Sequence, residues 1–527
     1  MRIQDFLAHH KIKGNPFAEE DAQTDAVFKN HCISSTYHPA WDKVYGSPAD
    51  PSTSIVFGEK GAGKTALRLQ VEKHIEQYNL ENPEDRCFVV AYDDFNPILD
   101  QFRERVGRRS RRPEKTLQQF QLWDHMDAIL SLATTKLVSA IIEGKSPTGT
   151  SGITTKKADE PAPIQGHSIP KNLRKRLDKQ QRRDLMLLAT CYDNTAAAPL
   201  PMRWSQLRSR IGGGSWSSWW PFNLGWKVSA LVLATLIAFW VFDMGWVETM
   251  KEKEFWATYV TPYWWAYPLI ALLGWLPWLY RSGQRWLTAM GITRRLRVIE
   301  RRSFPLSRML MRFGGSQLAR QPLPNKDRTD DRYSLLAKLQ GILKSLGFKS
   351  MVVLVDRLDE PHMINGSADA MKALLWPMLD NKFLKQEGLA IKFLLPIELQ
   401  SFIQREGRDF NQRARLDKQN VVPSLRWTGQ ALYDVANARL AACAEDGAKP
   451  KLADIVDETL TLPRIFDALQ GLRVPRHVFK FLYRVISEHC NRHSDNAPEY
   501  RIAGDTFESE LGIYKREMEV SDRNLAG

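Results

Sequence analysis

The sequence is poor in cysteine and offers no pairing pattern. Its 527 residues include five cysteines, which are scattered and form no C-x-x-C pair. This excludes a disulfide-stapled fold and fits a reducing compartment. His489, Cys490 and His493 lie close together, but a structural zinc site needs about four ligands, so we interpret them as residues of one helix. Residues 1–17 lack the apolar core of a secretory signal peptide, and we expect the start of the chain to stay in the cytoplasm.

Charge is absent from two long stretches. Residues 228–242, VSALVLATLIAFWVF, contain no charged residue in fifteen positions. Residues 255–280 contain no charged residue in 26 positions. The first run reaches membrane-spanning length only when it is extended to 226–247, with Lys227 reaching towards the interface. Twelve of the seventeen tryptophans lie in or beside these runs, which is typical of aromatic belts. We therefore predict a two-helix transmembrane hairpin over 226–280; the alternative is an apolar hairpin buried in a soluble domain.

The net charge of +14 is concentrated on both sides of these apolar runs. Residues 171–210 carry ten Lys and Arg against three Asp, and residues 281–302 carry seven Arg against one Glu. The loop between the runs, 243–254, carries two lysines against four acidic residues. Because Lys and Arg prefer the cytoplasmic side, we predict a multi-pass protein of the cell inner membrane, with both flanks cytoplasmic and in contact with anionic lipid. A nucleic-acid-binding arm over 171–210 is the alternative interpretation.

The segment GEKGAGKT, residues 58–65, fits the pattern G-x-x-x-x-G-K-[ST] at every fixed position. It follows a short β-branched run and precedes a helical pattern, which is the context that this phosphate-binding loop requires. Its glycines let successive N–H groups face a phosphate, Lys64 places a positive charge on the β- and γ-phosphates, and the Thr65 hydroxyl is a ligand for Mg²⁺. The predicted nucleotide-binding residues are Gly58, Glu59, Lys60, Gly61, Ala62, Gly63, Lys64, Thr65 and Ala66.

The segment MVVLVDRLDE, residues 351–360, places Asp356 at the end of an apolar run that predicts a strand. At the carboxyl edge of a parallel sheet this carboxylate would hold Mg²⁺ through water, as a Walker B aspartate does. Hydrolysis also needs a carboxylate that orients and deprotonates water. Asp359 and Glu360 are the candidates, with a slight preference for Asp359. The alternative is that both cap the following helix and that hydrolysis is slow.

The alternation of apolar runs with helical patterns predicts an α/β fold with a parallel sheet. The predicted strands are 53–57, 87–92, 350–355, 389–397 and 421–427. The predicted helices are 64–78, 117–142, 284–315, 332–347, 428–446, 452–470, 475–490 and 505–518. Residues 145–170, rich in Ser, Thr, Gly and Pro, predict a flexible linker. The predicted domains are an N-terminal segment (1–50), two parts of an α/β core (51–144 and 331–427), a linker with a basic juxtamembrane region (145–225), the hairpin (226–280), a basic juxtamembrane helix (281–330) and C-terminal helices (428–527).

A phosphate-binding core that is interrupted by apolar helices and resumes with LVDRLDE resembles the KAP family of P-loop NTPases, which belong with the STAND and AAA+ ATPases. FGEKGAGKTAL and LVDRLDE are also similar to bacterial STAND-like ATPases without membrane helices. The resemblance covers residues 50–95 and 330–480 and implies an ASCE-type sheet with a helical lid. KAP proteins often read D-D-L-D-R at the second motif, whereas this chain has Arg357 in the second place and Glu360 in the fifth.

The same resemblance implies further site residues. GLRVPRHVFKFL (471–482) is similar to the sensor-2 segment of these ATPases, which would bring Arg476 to the γ-phosphate; the alternative is a solvated residue at a helix start. Glu398 stands nearest to the end of the implied sensor strand, and residues 15–22 would cover the adenine. One of Arg405, Arg408, Arg413 and Arg415 is a candidate for an arginine finger acting in trans, but a solvated basic face is the favoured interpretation.

These motifs predict a membrane-anchored switch that binds ATP and Mg²⁺, hydrolyses ATP, forms a homo-oligomer and passes a conformational change to the hairpin. The resemblance implies a bacterial role in phage defence or stress response, with an unknown protein partner or trigger. Two alternatives stay open: an oligomeric membrane pore or transport motor, and a nucleic-acid-dependent ATPase. The uncharged spans weigh against a transport path, which normally carries some charge.

Overall fold

The computed structural model describes residues 1–527 except for 35, 107–112, 144–172, 197, 213–219, 244–265, 315–317, 319–320, 446, 495 and 527. The predicted linker 145–170 therefore lies outside the described residues. The same is true of most of the loop 243–254 and of the first part of the apolar run 255–280.

Five strands form one sheet in which every pairing is parallel. They are β1 (Ser54–Gly58), β2 (Arg86–Tyr92), β3 (Phe348–Val355), β4 (Leu389–Pro396) and β5 (Asn420–Val422). Their spatial order is β2-β3-β4-β1-β5. The strands between the edges are rich in buried Val, Ile, Leu and Phe, as expected for a parallel sheet covered by helices. The predicted α/β fold with a parallel sheet is confirmed.

The carboxyl ends of the parallel strands meet at one edge of the sheet. At that edge β1 is followed by the glycine-rich loop 59–63, β2 by Asp93 and β3 by Asp356. β4 lies between β1 and β3 and leads into a helix that begins at Glu398. Segments that are far apart in the sequence therefore come together at this edge, which is where ligands of open parallel sheets bind.

Helices cover the sheet and extend beyond it. In the first half of the chain they are α1 (Ile3–His9), α2 (Trp41–Tyr45), α3 (Lys64–Glu81), α4 (Asn96–Val106), α5 (Pro113–Leu117), α6 (Leu122–Glu143), α7 (Leu173–Arg176), α8 (Lys179–Tyr192), α9 (Leu200–Ile211), α10 (Trp220–Asp243) and α11 (Ala266–Arg295). In the second half they are α12 (Ser303–Leu310), α13 (Thr329–Ser345), α14 (Ala368–Leu375), α15 (Asn381–Leu384), α16 (Glu398–Arg405), α17 (Arg408–Ala414), α18 (Gly429–Ala442), α19 (Leu452–Ile455), α20 (Leu462–Gly471), α21 (Pro475–Arg492) and α22 (Gly504–Ala526).

One large hydrophobic core joins the sheet to α6, α8, α9 and α13. The segment 173–211 contributes Leu185, Leu188 and Trp204 to this core, whereas most of its Lys and Arg side chains point outwards. An ion pair between Asp127 and Arg332 links α6 to α13 at 3.0 Å, and both side chains are fully buried. A second core is formed by α18 to α22 together with α1.

The helices α10 and α11 pack against each other and leave much of their apolar surface uncovered. The Trp275 ring lies against Gly225 and its indole N–H donates to the Ser229 hydroxyl at 2.7 Å, while Val228 lies against Gly274. Large apolar side chains are exposed along both helices: Trp226, Leu231, Leu233, Leu236, Ile237, Leu269, Ile270, Leu272, Leu273, Leu276, Leu279 and Tyr280. These residues form an apolar surface that no other described part of the chain covers.

Among the described residues, one helix is long and apolar enough to cross a membrane, namely α6. Its most apolar window is 72% buried within the protein, so α6 is a core helix of this fold. The described apolar stretch of α10, Leu224–Ala238, is shorter than a span. The transmembrane hairpin over 226–280 therefore stays a prediction.

The predicted helix over 284–315 is wrong in its extent. The structure ends α11 at Arg295 and begins α12 at Ser303. The intervening Leu296 and Ile299 are buried, and the Arg301 guanidinium donates to the Cys191 carbonyl at 3.1 Å. Packing against α8 thus interrupts the helix that the local pattern favours.

Candidate functional site

The loop between β1 and α3 curls around an open space at the carboxyl edge of the sheet. Gly61 and Gly63 have φ angles of +86° and +93°, which favour glycine. Gly58 packs against Leu425, while Glu59 and Lys60 expose their side chains. Because α3 begins at the next residue, the positive end of its dipole lies at this loop. The loop is therefore built to hold an anion.

The Lys64 ammonium folds back over its own loop. Nζ donates to the carbonyl oxygens of Gly58 at 2.8 Å and Glu59 at 3.0 Å. Burial lowers the pKa of Lys64, and the charges of Asp359 and Asp356 oppose this shift. Lys64 therefore lies close to Asp356 and Asp359.

Asp356 is buried directly beside Thr65. Burial raises the pKa of Asp356, and the interactions with Arg68 and with the Thr65 hydroxyl oppose this shift. One carboxylate oxygen, Oδ2, is buried and lies 3.3 Å from the Arg68 Nε. A hydroxyl next to a carboxylate is a pair of oxygen ligands that suits a hydrated Mg²⁺ ion. The structure thus brings together both residues that the sequence predicts for the metal.

Arg68 is a buried counter-charge that the sequence analysis missed. Its Nε lies 3.3 Å from the Asp356 carboxylate, and both side chains are only 1% exposed. The same guanidinium contacts Asp93 at 2.9 Å and Glu72 at 3.2 Å. The available signal was spacing, because Arg68 follows Thr65 by three residues on α3 and so lies on the same helix face.

The two candidate carboxylates for water activation have different surroundings. Glu360 pairs with the Arg357 guanidinium at 2.7 Å, and Arg357 also donates to the Gln23 side-chain oxygen at 2.6 Å. Arg357 adopts a left-handed φ of +59°, which turns it away from the strand direction. Asp359 is half-buried and lines the open space near Lys64. The geometry favours Asp359 over Glu360.

Arg476, at the start of α21, lies directly on the glycine-rich loop. Its backbone N–H donates to the Gly61 carbonyl at 3.4 Å. Its side chain is 30% exposed, its Nε has no hydrogen-bond partner among the described residues, and the Glu20 carboxylate lies 3.9 Å away. The start of α21 therefore adds a second helix N-terminus and a guanidinium to the site.

Trp427 closes the loop from the other side. Its indole N–H donates to the Ala62 carbonyl at 2.9 Å, and its ring lies over Gly63. The His38 ring meets it edge-on, with 4.8 Å between ring centroids. Neither aromatic residue was among the predicted site residues, because their contacts join segments that are almost 400 positions apart in the sequence.

A cavity of about 670 Å³ connects these groups. One end is lined by residues 60–66, by Asp356, Asp359 and Glu360, and by Arg476, whereas the predicted residues Gly58 and Glu59 do not line it. The other end is lined by apolar side chains of the N-terminal segment and of α18 and α21, namely Phe28, Cys32, Val435, Ala438 and Phe479. Of the segment 15–22 that was expected over a base, Glu20, Asp21 and Ala22 line the cavity, and Asp25, Thr36 and His38 join them.

The buried charges at the apolar end neutralise each other. Arg439 forms an ion pair with Asp25, and their side chains are 5% and 2% exposed. The Arg439 guanidinium also lies 4.3 Å over the Phe479 ring. The cavity therefore has a strongly charged end and an end that is apolar and neutral.

The remaining candidates lie outside the cavity. Glu398 is exposed at the start of α16 and does not line it. Arg405, Arg408 and Arg413 are exposed, and Arg415 pairs with Asp417 at 3.3 Å. The His489 ring bonds to the Glu499 carbonyl, and the described residues contain no group of three or more ligands that would hold a metal ion.

Comparison of the chain with protein-family models, with curated proteins and with solved structures finds no match.

Proposed function

We propose that this chain is a P-loop ATPase of ASCE type, similar to KAP and STAND proteins, and that the cavity binds ATP with Mg²⁺. The observation that carries the proposal is the convergence of residues 60–65, Asp356 and Arg476, from three distant parts of the chain, on one cavity. The strand order supports the ASCE type, since β4 lies between the strands of the two Walker motifs. The volume of about 670 Å³ also lies within the usual range for small-molecule sites.

The two ends of the cavity suit the two ends of a nucleotide. The phosphates would lie on the loop amides, between the N-termini of α3 and α21 and beside Lys64 and Arg476. The base would lie among Phe28, Cys32 and Phe479, where the charges are already neutralised. An uncharged purine therefore fits this end better than a charged group does.

Thr65 and Asp356 fit a Mg²⁺ ion that is held by one hydroxyl and, through water, by one carboxylate. Both residues line the cavity, which supports this assignment. When bound, the ion supplies neutralisation of the charge on the β- and γ-phosphates. The Arg68 Nε lies 3.3 Å from the Asp356 Oδ2 and helps to orient the carboxylate.

Asp359 is the residue that would orient and deprotonate the attacking water. It is next to Lys64 in the cavity, whereas Glu360 is engaged by Arg357. A carboxylate in the fourth place after the strand, instead of directly after Asp356, fits slow turnover and a switch-like use of ATP. Arg476 would contact the γ-phosphate. This contact would draw the C-terminal helices over the nucleotide as a lid.

The exposed apolar surface of α10 and α11 supports a membrane hairpin as the anchor of this switch. A chain of contacts runs from the sheet towards it. The Lys136 ammonium on α6 donates to the Val89 carbonyl of β2 at 2.9 Å, and Asp124 on α6 pairs with Arg297, just after α11. Inner-membrane localisation, a homo-oligomer and a role in phage defence or stress response remain parts of the proposal.

The test is Mg²⁺-dependent binding of a fluorescent ATP analogue to the purified full-length protein. Lys64→Ala is expected to weaken binding at least about tenfold, because a charge-assisted phosphate contact is lost. Lys73→Ala is the matched control, since Lys73 lies on the same helix but outside the cavity and pairs with Glu76. Equal affinities of the Lys64 variant and the wild type would sink the nucleotide-site assignment.

A further inference from the structure

The apolar run 255–280 ends within α11, and we call this place the foot of the hairpin. There the Arg281 guanidinium donates to the carbonyl oxygens of Met311 at 3.2 Å and Phe313 at 2.7 Å. The segment after α12 therefore lies beside the end of the apolar run. Arg312, between the two acceptor residues, is exposed at this place.

Arg312 and Arg208 both pack against Trp204. Their guanidinium carbons lie 4.9 Å and 5.8 Å from the centre of its ring. The Trp204 side chain is itself fixed, because it is buried and its indole N–H donates to the Thr190 hydroxyl at 2.9 Å. The indole is thus a rigid platform that sets two cationic groups side by side.

The two guanidiniums carry like charges and lie against the same ring. Partial burial of the Arg312 guanidinium lowers its pKa, and the charge of Arg208 lowers it further. The negative end of the α9 dipole accounts for the position of Arg208, which lies in the last turn of that helix. It does not account for Arg312, which belongs to a different segment and forms no ion pair with any described residue.

Exposed apolar side chains accompany these cations. Met202, on α9, is 53% exposed, and Phe304, on α12, is 65% exposed. The Arg308 guanidinium lies 5.1 Å over the Phe304 ring. A surface of arginines interleaved with exposed apolar groups, next to uncovered apolar helices, matches the headgroup layer of a bilayer better than it matches water.

We propose that Arg208 and Arg312 bind the phosphate of an anionic phospholipid at the foot of the hairpin, with Trp204 as their platform. The site rests on the proposed membrane anchor and names the lipid class that it recognises. Each guanidinium offers planar paired donors that match a phosphate, and the acyl chains of the lipid would lie along α10 and α11. The adjacent apolar helices identify a lipid, not free phosphate, as the occupant.

The experiment reconstitutes the full-length protein into vesicles of phosphatidylcholine alone and of phosphatidylcholine with an equal amount of phosphatidylglycerol. The thermal unfolding midpoint is expected to be higher in the anionic vesicles, because the lipid binds the folded protein. Arg208→Gln with Arg312→Gln should abolish this difference between the two vesicles. Arg464→Gln with Arg501→Gln removes the same charge from the C-terminal part of the chain and should leave the difference unchanged.

Other outcomes overturn the proposal. A double variant at Arg208 and Arg312 that keeps the full lipid-dependent difference would show that the site lies elsewhere. The same rise with inorganic phosphate, or with a DNA or RNA oligonucleotide, in neutral vesicles would assign the surface to another anion. Failure of the membrane anchor is distinguishable, because alkaline carbonate would then release the protein from the vesicles. If the released protein still binds anionic vesicles, and if this binding depends on the two arginines, the phosphate site is upheld.

Discussion

Arg476 packs so closely on Gly61 that a methyl group does not fit between them. The point where an alanine Cβ would lie is 2.7 Å from the Arg476 Cβ. Gly61 also has a φ of +86°, which costs an L-residue about 1–2 kcal/mol. Gly61→Ala is therefore expected to push Arg476 off the loop and to weaken nucleotide binding about tenfold or more, as measured by titration with a fluorescent ATP analogue.

Gly447→Ala is the matched control for this substitution. Gly447 has the same φ of +86°, but no atom lies within 4 Å of its Cβ position and it does not line the cavity. The control should lose stability and keep nucleotide affinity. If both variants bind the analogue equally well, the contact between Gly61 and Arg476 has no part in binding.

Asp359→Asn and Glu360→Gln are expected to separate the two carboxylates. The first should keep Mg²⁺-dependent ATP binding and slow phosphate release by about 10²-fold or more, because the water loses its base. The second should retain most of the turnover, since Glu360 is held by Arg357 at 2.7 Å. Single-turnover phosphate release, with affinity measured in parallel, distinguishes them. Loss of hydrolysis in the Glu360 variant alone would reverse the assigned roles.

Arg68→Met should destabilise the fold by about 3–5 kcal/mol, because Asp356 would stay buried without its ion partner. Arg68→Lys keeps the charge and should lose less. The free energy of unfolding is measured by urea titration. Arg492→Met is the control, since its pair with Glu488 is 42% and 36% exposed and is worth about 1 kcal/mol or less. Equal losses at both positions would contradict a buried counter-charge at Arg68.

His125 should make stability depend on pH. Burial lowers its pKa from 6.5 to about 4. Nε2 contacts the Leu374 carbonyl at 2.8 Å and Nδ1 contacts the Tyr92 hydroxyl at 3.1 Å, which fits a neutral ring with its proton on Nε2. The unfolded chain binds a proton first, so this contribution is fully present above pH 6.5 and is lost as the pH falls towards about 4.

In the His125→Gln variant, the stability of the fold is therefore expected to depend less on pH at acid pH than it does in the wild type. The urea midpoint of the wild type should fall more steeply than that of the variant between about pH 6.5 and pH 4. His362→Gln, at an exposed histidine, should leave the profile as it is. Parallel profiles of the wild type and the His125 variant would mean that another group controls acid unfolding.

The proposed topology is tested by labelling single cysteines at Thr249, Ser209 and Ser303 in intact cells, on a cysteine-free background. An impermeant maleimide should label only position 249, because the arginine-rich flanks stay on the cytoplasmic side. After permeabilisation, all three positions should react. Labelling of position 209 or 303 in intact cells would overturn the topology, and recovery of the protein in the soluble fraction would overturn the membrane anchor.

The strands and the glycine-rich turn after β1 were predictable because both are local. Each of the five predicted runs overlaps an observed strand, and the loop geometry at Gly61 and Gly63 follows from the glycine spacing. Arg68, Trp427 and the N-terminal residues from Asp25 to His38 were not found, because their roles arise only when distant segments meet at the cavity.

The segment 173–211 shows a second limit of sequence reasoning. Its net charge suggests an exposed arm, yet its apolar residues recur on one face of α8 and α9 and enter the core. The summed charge of a window hides this periodicity. The positions of the apolar residues along each helix would have shown it. The break between α11 and α12 is different in kind, because it depends on packing against α8.

The strand order has a consequence for the synthesis of the chain. Within the described part of the chain, β1 pairs with β4 and β5 alone and β2 pairs with β3 alone, so neither of the first two strands has a described partner until the ribosome has passed residue 348. The nascent chain must carry two unpaired strands through the whole intervening region, a state that favours aggregation. A hairpin that inserts into the membrane during translation would return the second half of the chain beside the first and shorten the search for the missing strands.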